Sequence, residues 1–311
     1  MQESAMQVLL SSLTEGSWNQ YESWFKRWFK FCSIQNKSLF STNVSTVSSF
    51  LVSHFNEGVG YSSINCAKSA LSLLLDPIEN YSVGSHPVIS RVLRGVGQLR
   101  PPQPKYRSTW NPQVVLKYLR TLWPLSSLTL QQLTIRCATL MALASSHRIN
   151  SLSVIKLSDI IDTGSCIRIF ISSRIKTSKP GKIQPTLCFK NFEDPVLCVA
   201  NTIRNYLEVT QPLREESCQQ LFISVSTPHK PVVKQTISNW IRKCLESSGI
   251  DTHIFGPHSV RHASTSCALR KGVAIDEIKK AASWSENSKV FAQFYNQPLD
   301  NSADYYNNIF S

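Results

Sequence analysis

The sequence has no unbroken apolar run of about 18 residues, the length a membrane-spanning helix needs, so no membrane partner is expected. It also has no CxxC pair. Its nine cysteines are scattered over 311 residues, an odd number with no clustered ligands. That pattern argues against a zinc site and against a dense disulfide framework. Reduced, mostly buried thiols in a cytosolic or nuclear protein are the expectation, with no metal. The first residues, MQESAMQVLLSSLTEGS, carry an acid early and only a brief apolar patch, and make a poor signal peptide. Acidic residues are scarce, 20 against 33 lysines and arginines, which leaves a net charge of +13. Such an excess suits a polyanionic partner, since each phosphate neutralised releases counterions.

What remains is ample for two folded cores. The apolar share is 42%, and a chain of this length is expected to form two domains. In SWNQYESWFKRWFKFC, from Ser17, the residues Trp18, Tyr21, Phe25, Trp28 and Phe31 fall at helical spacing, an aromatic stripe expected to face a core. Lys26 and Lys30 lie between them and can face phosphates or solvent. Three further helices are predicted: one through Val44–Phe55, one from Ser62, and one opening at Pro87 with Arg91 and Arg94 on its polar side. A helical bundle over residues 1–99 follows, with no catalytic constellation of its own.

RPPQPKYR then stiffens the chain, because proline fixes φ and disfavours helix before it. Residues 100–108 read as a basic linker carrying Arg100, Lys105 and Arg107, able to lie along a nucleic-acid backbone. Residues 109–311 form the second predicted domain. Asn111-Pro112 opens one helix, and a Thr129/Gln132 capping box opens another with Leu133, Cys137, Leu140 and Ala144 on its apolar side. Arg148 stands at or just past the end of that buried helix, where a charge needs either an ion-pair partner or an anion. The period then changes: CIRIFISS and IQPTLCF alternate as strands of a small antiparallel sheet. The connection between them carries Arg174, Lys176, Lys179 and Lys182 around a Pro-Gly turn. Asp194-Pro195 is expected to cap a helix through Ala200 and Leu207, and a later helix runs to Gly249.

The last segment, PHSVRHASTSCALRKGVAIDEIKKAASWSENSKVFAQFY, places His258 and Arg261 on one face of a helix, then Trp284 and Tyr295. Alone, HxxR means little. In order with RINSLSVIKLSDI and IKTSKPGK, it resembles the tyrosine recombinase, or phage integrase, family over nearly the whole length. The resemblance implies a mainly α fold with a small antiparallel sheet: a SAM-like helical core-binding domain, then an α+β catalytic domain. It implies that Arg148 and Arg261 clamp a phosphodiester while His258 hydrogen-bonds or takes the phenol proton. Tyr295 attacks, Lys176 protonates the leaving 5′ oxygen, and Trp284 packs and donates its N–H. Guanidinium charge and a conserved phosphoester bond would make metal, ATP and other cofactors unnecessary. The implied partner is double-stranded DNA, bound at two sites by a homotetramer that passes through a Holliday junction.

Within the family, STWNPQVVLKYL and LTLQQLTIRCATLMALASSHRINSL look most like recombinases of DIRS-like eukaryotic retrotransposons, with Crypton-type elements the alternative. That resemblance implies a nuclear protein made in the cytoplasm. Two departures stand out: Asn150 where the family often has an acid, and a slightly long Trp284–Tyr295 interval. Tyr305 and Tyr306 are rival nucleophiles, His262 is read as support for the fold, and Ile309-Phe310 as an anchor of the tail. A DNA-binding protein without catalysis and a type IB topoisomerase remain as other functions.

Overall fold

The computed structural model describes residues 7–8, 11–179, 181, 183–285, 287–288 and 291–299. The chain divides into two compact units, Met1–Pro104 and Lys105–Ser311.

The first unit is built from α1 (Glu15–Gln35), α2 (Val44–Asn56), α3 (Tyr61–Leu74) and α4 (Pro87–Leu99). Local chemistry sets their starts. The Thr14 hydroxyl accepts the Ser17 N–H at 3.2 Å, and Asn43 Oδ1 accepts that of Thr46 at 2.9 Å. Pro87 occupies the first turn of α4, where its missing N–H costs nothing. The core gathers Trp24, Trp28, Phe50, Leu51, Ile64, Leu71 and Ile89. Trp28 is fully buried with its indole donating to Leu39 O at 2.9 Å, so truncation to Ala should cost about 3–5 kcal/mol. Of the expected aromatic stripe of α1, Trp28 is buried and Tyr21, Phe25 and Phe31 pack against this core, whereas Trp18 is 42% exposed; Trp24, outside that stripe, is buried as well.

The second unit follows the order α5 (Pro112–Thr121), α6 (Leu130–Ser145), α7 (Ile149–Ser153), β1 (Ile160–Asp162), β2 (Cys166–Phe170) and β3 (Thr186–Lys190). It continues with α8 (Val199–Thr210), α9 (Lys234–Ser247), α10 (Ser259–Arg270) and α11 (Ile275–Ala281). A single π-turn, Phe291–Tyr295, closes the described chain near its end. The sheet is antiparallel in the order β1-β2-β3, with Ile167 opposite Phe189 and Ile169 opposite Leu187 on the buried face.

Helix α6 is the spine, packed by α8, α9 and α10. The Thr129/Gln132 capping box forms at its start. Its burial is not a stripe: residues Leu133 to Ala142 are all buried, whereas Ala144, expected on the apolar side, is exposed. The fully buried set includes Arg136, whose guanidinium donates to the carbonyls of Leu119 and Val196. These are the last turn of α5 and the turn before α8, so one buried cation ties three segments together.

Two further expectations differ. The strand expected from Ile183 begins only at Thr186, and Ile183 is 92% exposed; Pro185 cannot donate to the ladder. Asp194-Pro195 caps a 3-10 turn, Pro195–Leu197, rather than the long helix. Extended Cys198 interrupts the chain there and itself caps α8, its sulfur accepting the Asn201 N–H.

Candidate active site

The site begins at the C-terminus of α6. Ser146 takes the left-handed conformation (φ 52°), which ends the helix and turns the chain so that Arg148 becomes the N-cap of α7. The Ser146 hydroxyl meets that of Ser264 on α10 at 2.8 Å, fixing this turn against the helix that carries Arg261. Arg148 is half-buried, and among the described residues no carboxylate pairs with it. The ion-pair alternative for this residue therefore finds no partner among the described acids.

Arg261 is 5% exposed. It donates from Nη2 to Ala282 O at 2.7 Å and lies 4.4 Å above the Trp284 ring and 5.5 Å from that of Tyr295. Burial, then the charge of Arg148, hold its pKa down to about 10, while the electrostatic influence of Tyr295 works the other way. It stays charged at neutral pH. Two guanidinium groups thus face one another's field in a partly dry place with no acid between them, an arrangement that an anion would complete.

Pro257 leads into His258, the N-cap of α10, and first-turn N–H groups there favour an anion as well. His258 presents surface to solvent, yet its pKa is held below the ordinary value. Partial burial is the first cause, followed by the charges of Lys105, Arg148, Arg261 and Lys176. The imidazole is consequently neutral at pH 7 and able to accept a proton. Lys176 sits exposed on the β2–β3 connection, next to Ile175, which is buried and anchors that segment. The Ser178 hydroxyl accepts the Ile175 N–H at 2.9 Å and donates to Gln184 at 3.0 Å, crossing the base of the loop.

Trp284 and Tyr295 come from the last elements. Trp284 packs with Ile278, Ala282 and Phe291 in a small core, its ring 4.7 Å from that of Tyr295. Its Nε1 is buried with no acceptor among the described residues, a donor available to a ligand oxygen. The Tyr295 ring stacks flat on His262 at 3.9 Å, and the edge of His262 meets Tyr106 at 5.0 Å. Ser266 donates to the Tyr295 carbonyl, and Gln297 N–H donates back to Ser266 Oγ at 3.2 Å. Beyond it, Arg270 reaches Gln297 O, and Thr109 N–H donates to Pro298 O at 2.7 Å, so the chain through Leu299 runs along its own unit.

Arg148, Lys176, His258, Arg261, Trp284 and Tyr295 therefore converge on one site, with Lys105 added to it. The other described basic candidates are not among the charges that act on His258. Lys26 and Lys30 are exposed on α1, the former paired with Glu22 at 2.7 Å, and Arg91 and Arg94 are exposed on α4. Arg100 is occupied: it donates to the carbonyls of Val59 and Phe55 and stacks on the Phe55 ring. Arg107, Arg174 and Lys179 are exposed in the second unit. Lys182, Tyr305, Tyr306, Ile309 and Phe310 lie outside the described residues. Among the described residues, no group of three or more His, Cys, Asp or Glu side chains could hold a metal ion. No described helix is long and apolar enough to cross a membrane. Residues missed from sequence are the backbone acceptor Ala282, the hydroxyls of Ser146 and Ser266, and the buried His147; only the last had a signal, an ionisable side chain trailing an apolar helix.

A profile of the phage integrase family matches residues 117–302, more than half of the chain and all six convergent side chains. The chain belongs to the phage integrase family. Several solved structures are similar to it in fold. Lambda integrase (residues 75–356) bound to DNA gives a TM-score of 0.54 at 16% identity, covering 96% of this chain and 94% of that one. The lambda integrase tetramer bound to a Holliday junction gives 0.53 at 16% identity, covering 93% and 75%. XerH site-specific recombinase, in a post-cleavage complex with palindromic difH, gives 0.54 at 13% identity, covering 79% and 66%. No curated protein sequence matches.

Proposed function

We propose that this phage integrase family member is the site-specific DNA recombinase of a mobile element, acting through Tyr295. The observation that carries the reading is the pair of acid-free arginines, Arg148 and Arg261, converging with Trp284 and Tyr295. As Tyr295 Oη attacks a phosphorus atom, negative charge grows on the non-bridging oxygens, and the two forks with the Trp284 N–H are available to hold it. The phenol proton passes to His258, which burial and then the surrounding cations keep neutral. The P–O5′ bond breaks, and Lys176 delivers a proton to the leaving oxygen. The product is a 3′-phosphotyrosine and a free 5′ hydroxyl. Attack by another strand's 5′ hydroxyl reverses these steps, so the bond energy is conserved.

The lambda integrase tetramer on a Holliday junction supports a homotetramer on two double-stranded DNA sites as the working assembly. Lys26, Lys30, Arg91, Arg94, Arg100, Lys105, Arg107, Arg174, Lys179 and Lys182 would contribute backbone contacts, Arg100 only by leaving its present carbonyls. The boxes quoted above point to a DIRS-like retrotransposon as the encoding element and to the nucleus as the working place. A domain organisation of 1–99, a 100–108 linker and 109–311 accompanies this reading.

The test is a nicked suicide substrate built on the sequence that the full-length protein enriches from a randomised DNA pool. Wild type should form a covalent protein–DNA band, and Tyr295→Phe should lose it while retaining binding. Binding without any band from wild type would mean a DNA-binding protein without catalysis. Relaxation of any supercoiled plasmid would mean a topoisomerase.

A further inference from the structure

His147 precedes Arg148 and takes no part in the steps above, yet it is 6% exposed and hydrogen-bonded through its ring. Its backbone N–H donates to Ser145 Oγ at 3.2 Å, and its Nε2 meets Ser283 Oγ at 3.1 Å, 136 residues along the chain. The Ala281 backbone also acts on the ring. Beside the Ser283 contact, Ala282 O receives Arg261 Nη2 at 2.7 Å. Two successive residues are thus held, Ala282 by Arg261 and Ser283 by His147. Ser283 is in the left-handed region (φ 53°), and the next residue is Trp284, lying under Arg261.

We propose that His147 is a positioning residue that latches the Arg148 turn to the Ala281–Trp284 turn, setting the spacing of guanidinium and indole before DNA arrives. This rests on the phosphate-clamping roles assigned to Arg148 and Trp284. The residue type fits the place. The charged groups that act on the ring are Arg148 beside it and Arg261 from α10, and burial with these two cations keeps the imidazole unprotonated, down to about pH 4. A lysine here would be repelled, and a leucine would leave the Ser283 hydroxyl without this partner.

The experiment uses full-length His147→Ala, His147→Gln, Ser283→Ala and the His147/Ser283 double alanine variant. Adduct formation is measured in single turnover on the suicide substrate, and affinity by anisotropy. His147→Ala should slow cleavage about 10- to 100-fold, with DNA affinity within about twofold of wild type. His147→Gln, neutral and able to meet the same Ser283 hydroxyl, should recover most of the rate. Ser283→Ala should cost less, and the double variant no more than His147→Ala alone, because the two share one contact. Undiminished cleavage by His147→Ala, equal losses of affinity and rate, or additive losses would overturn the proposal. A second readout needs no catalysis: fluorine NMR of DNA-free, 5-fluorotryptophan-labelled protein, with the Trp284 signal identified by its loss in Trp284→Phe. That signal should move in His147→Ala and Ser283→Ala and return in His147→Gln. If it stays fixed in both alanine variants, the latch is wrong whether or not wild type cleaves DNA. If it moves while wild type never cleaves, the latch stands and the recombinase reading fails.

Discussion

The chemistry of this site turns on which side chains are charged. His258 is kept neutral by burial and by four surrounding cations, Lys105 first among them, and so should titrate below the ordinary histidine value near 6.5. NMR titration of DNA-free protein checks this, and Lys105→Ala should move the His258 midpoint upward; no movement would remove Lys105 from the site. Arg261 has the opposite duty, staying charged although buried. Arg261→Lys keeps a charge but loses the planar fork, the stacking on Trp284 and the reach to Ala282 O. Adduct formation should fall by about 100-fold or more, with DNA affinity little changed. His147 gives a stability signature. Its folded pKa, about 4, lies below the ordinary 6.5, so the unfolded chain binds a proton that the folded chain refuses. Its contribution is complete above about pH 6.5 and is lost as pH falls toward about 4. Urea denaturation over that window should show wild type losing up to about 3 kcal/mol more than His147→Gln.

At the scale of elements, α6 decides where the arginines stand. Arg136 joins α6 to the end of α5 and to the turn before α8 through one backbone carbonyl on each. Arg136→Met fills the volume but abandons both acceptors, and should cost about 2–4 kcal/mol in urea unfolding while leaving cleavage per folded molecule unchanged. Elements with strong local signals were legible in the sequence. The Thr129/Gln132 box, Pro87 and Pro112 in first turns, and Gly249 past a helix end all act as their chemistry dictates. Trp18, Ala144 and Ile183 were not legible, because exposure at a helix start, on a spine helix or before Pro185 depends on what packs alongside. The site was half legible. Its box residues could be named from sequence, whereas the Ala282 carbonyl, Ser266 and the His147 contact join segments far apart in the chain and carry no local pattern.

Over the whole molecule, the excess of cations is the dominant property, +13 in 311 residues. If exposed residues such as Lys30, Arg91 and Arg94 meet phosphates, log affinity should fall linearly with log salt, with a slope proportional to the number of phosphates neutralised. The double variant Arg91→Ala/Arg94→Ala should lower that slope by about two, while a flat dependence would mean that the charge serves solvation alone. All of this presupposes that one tyrosine carries the DNA. The most direct measurement is mass spectrometry of the nuclease-trimmed, protease-digested covalent adduct from full-length protein on its suicide substrate. The nucleotide remnant should sit on Tyr295, joined through a 3′ phosphate. A remnant on Tyr305 or Tyr306, or one joined through a 5′ phosphate, would contradict the account.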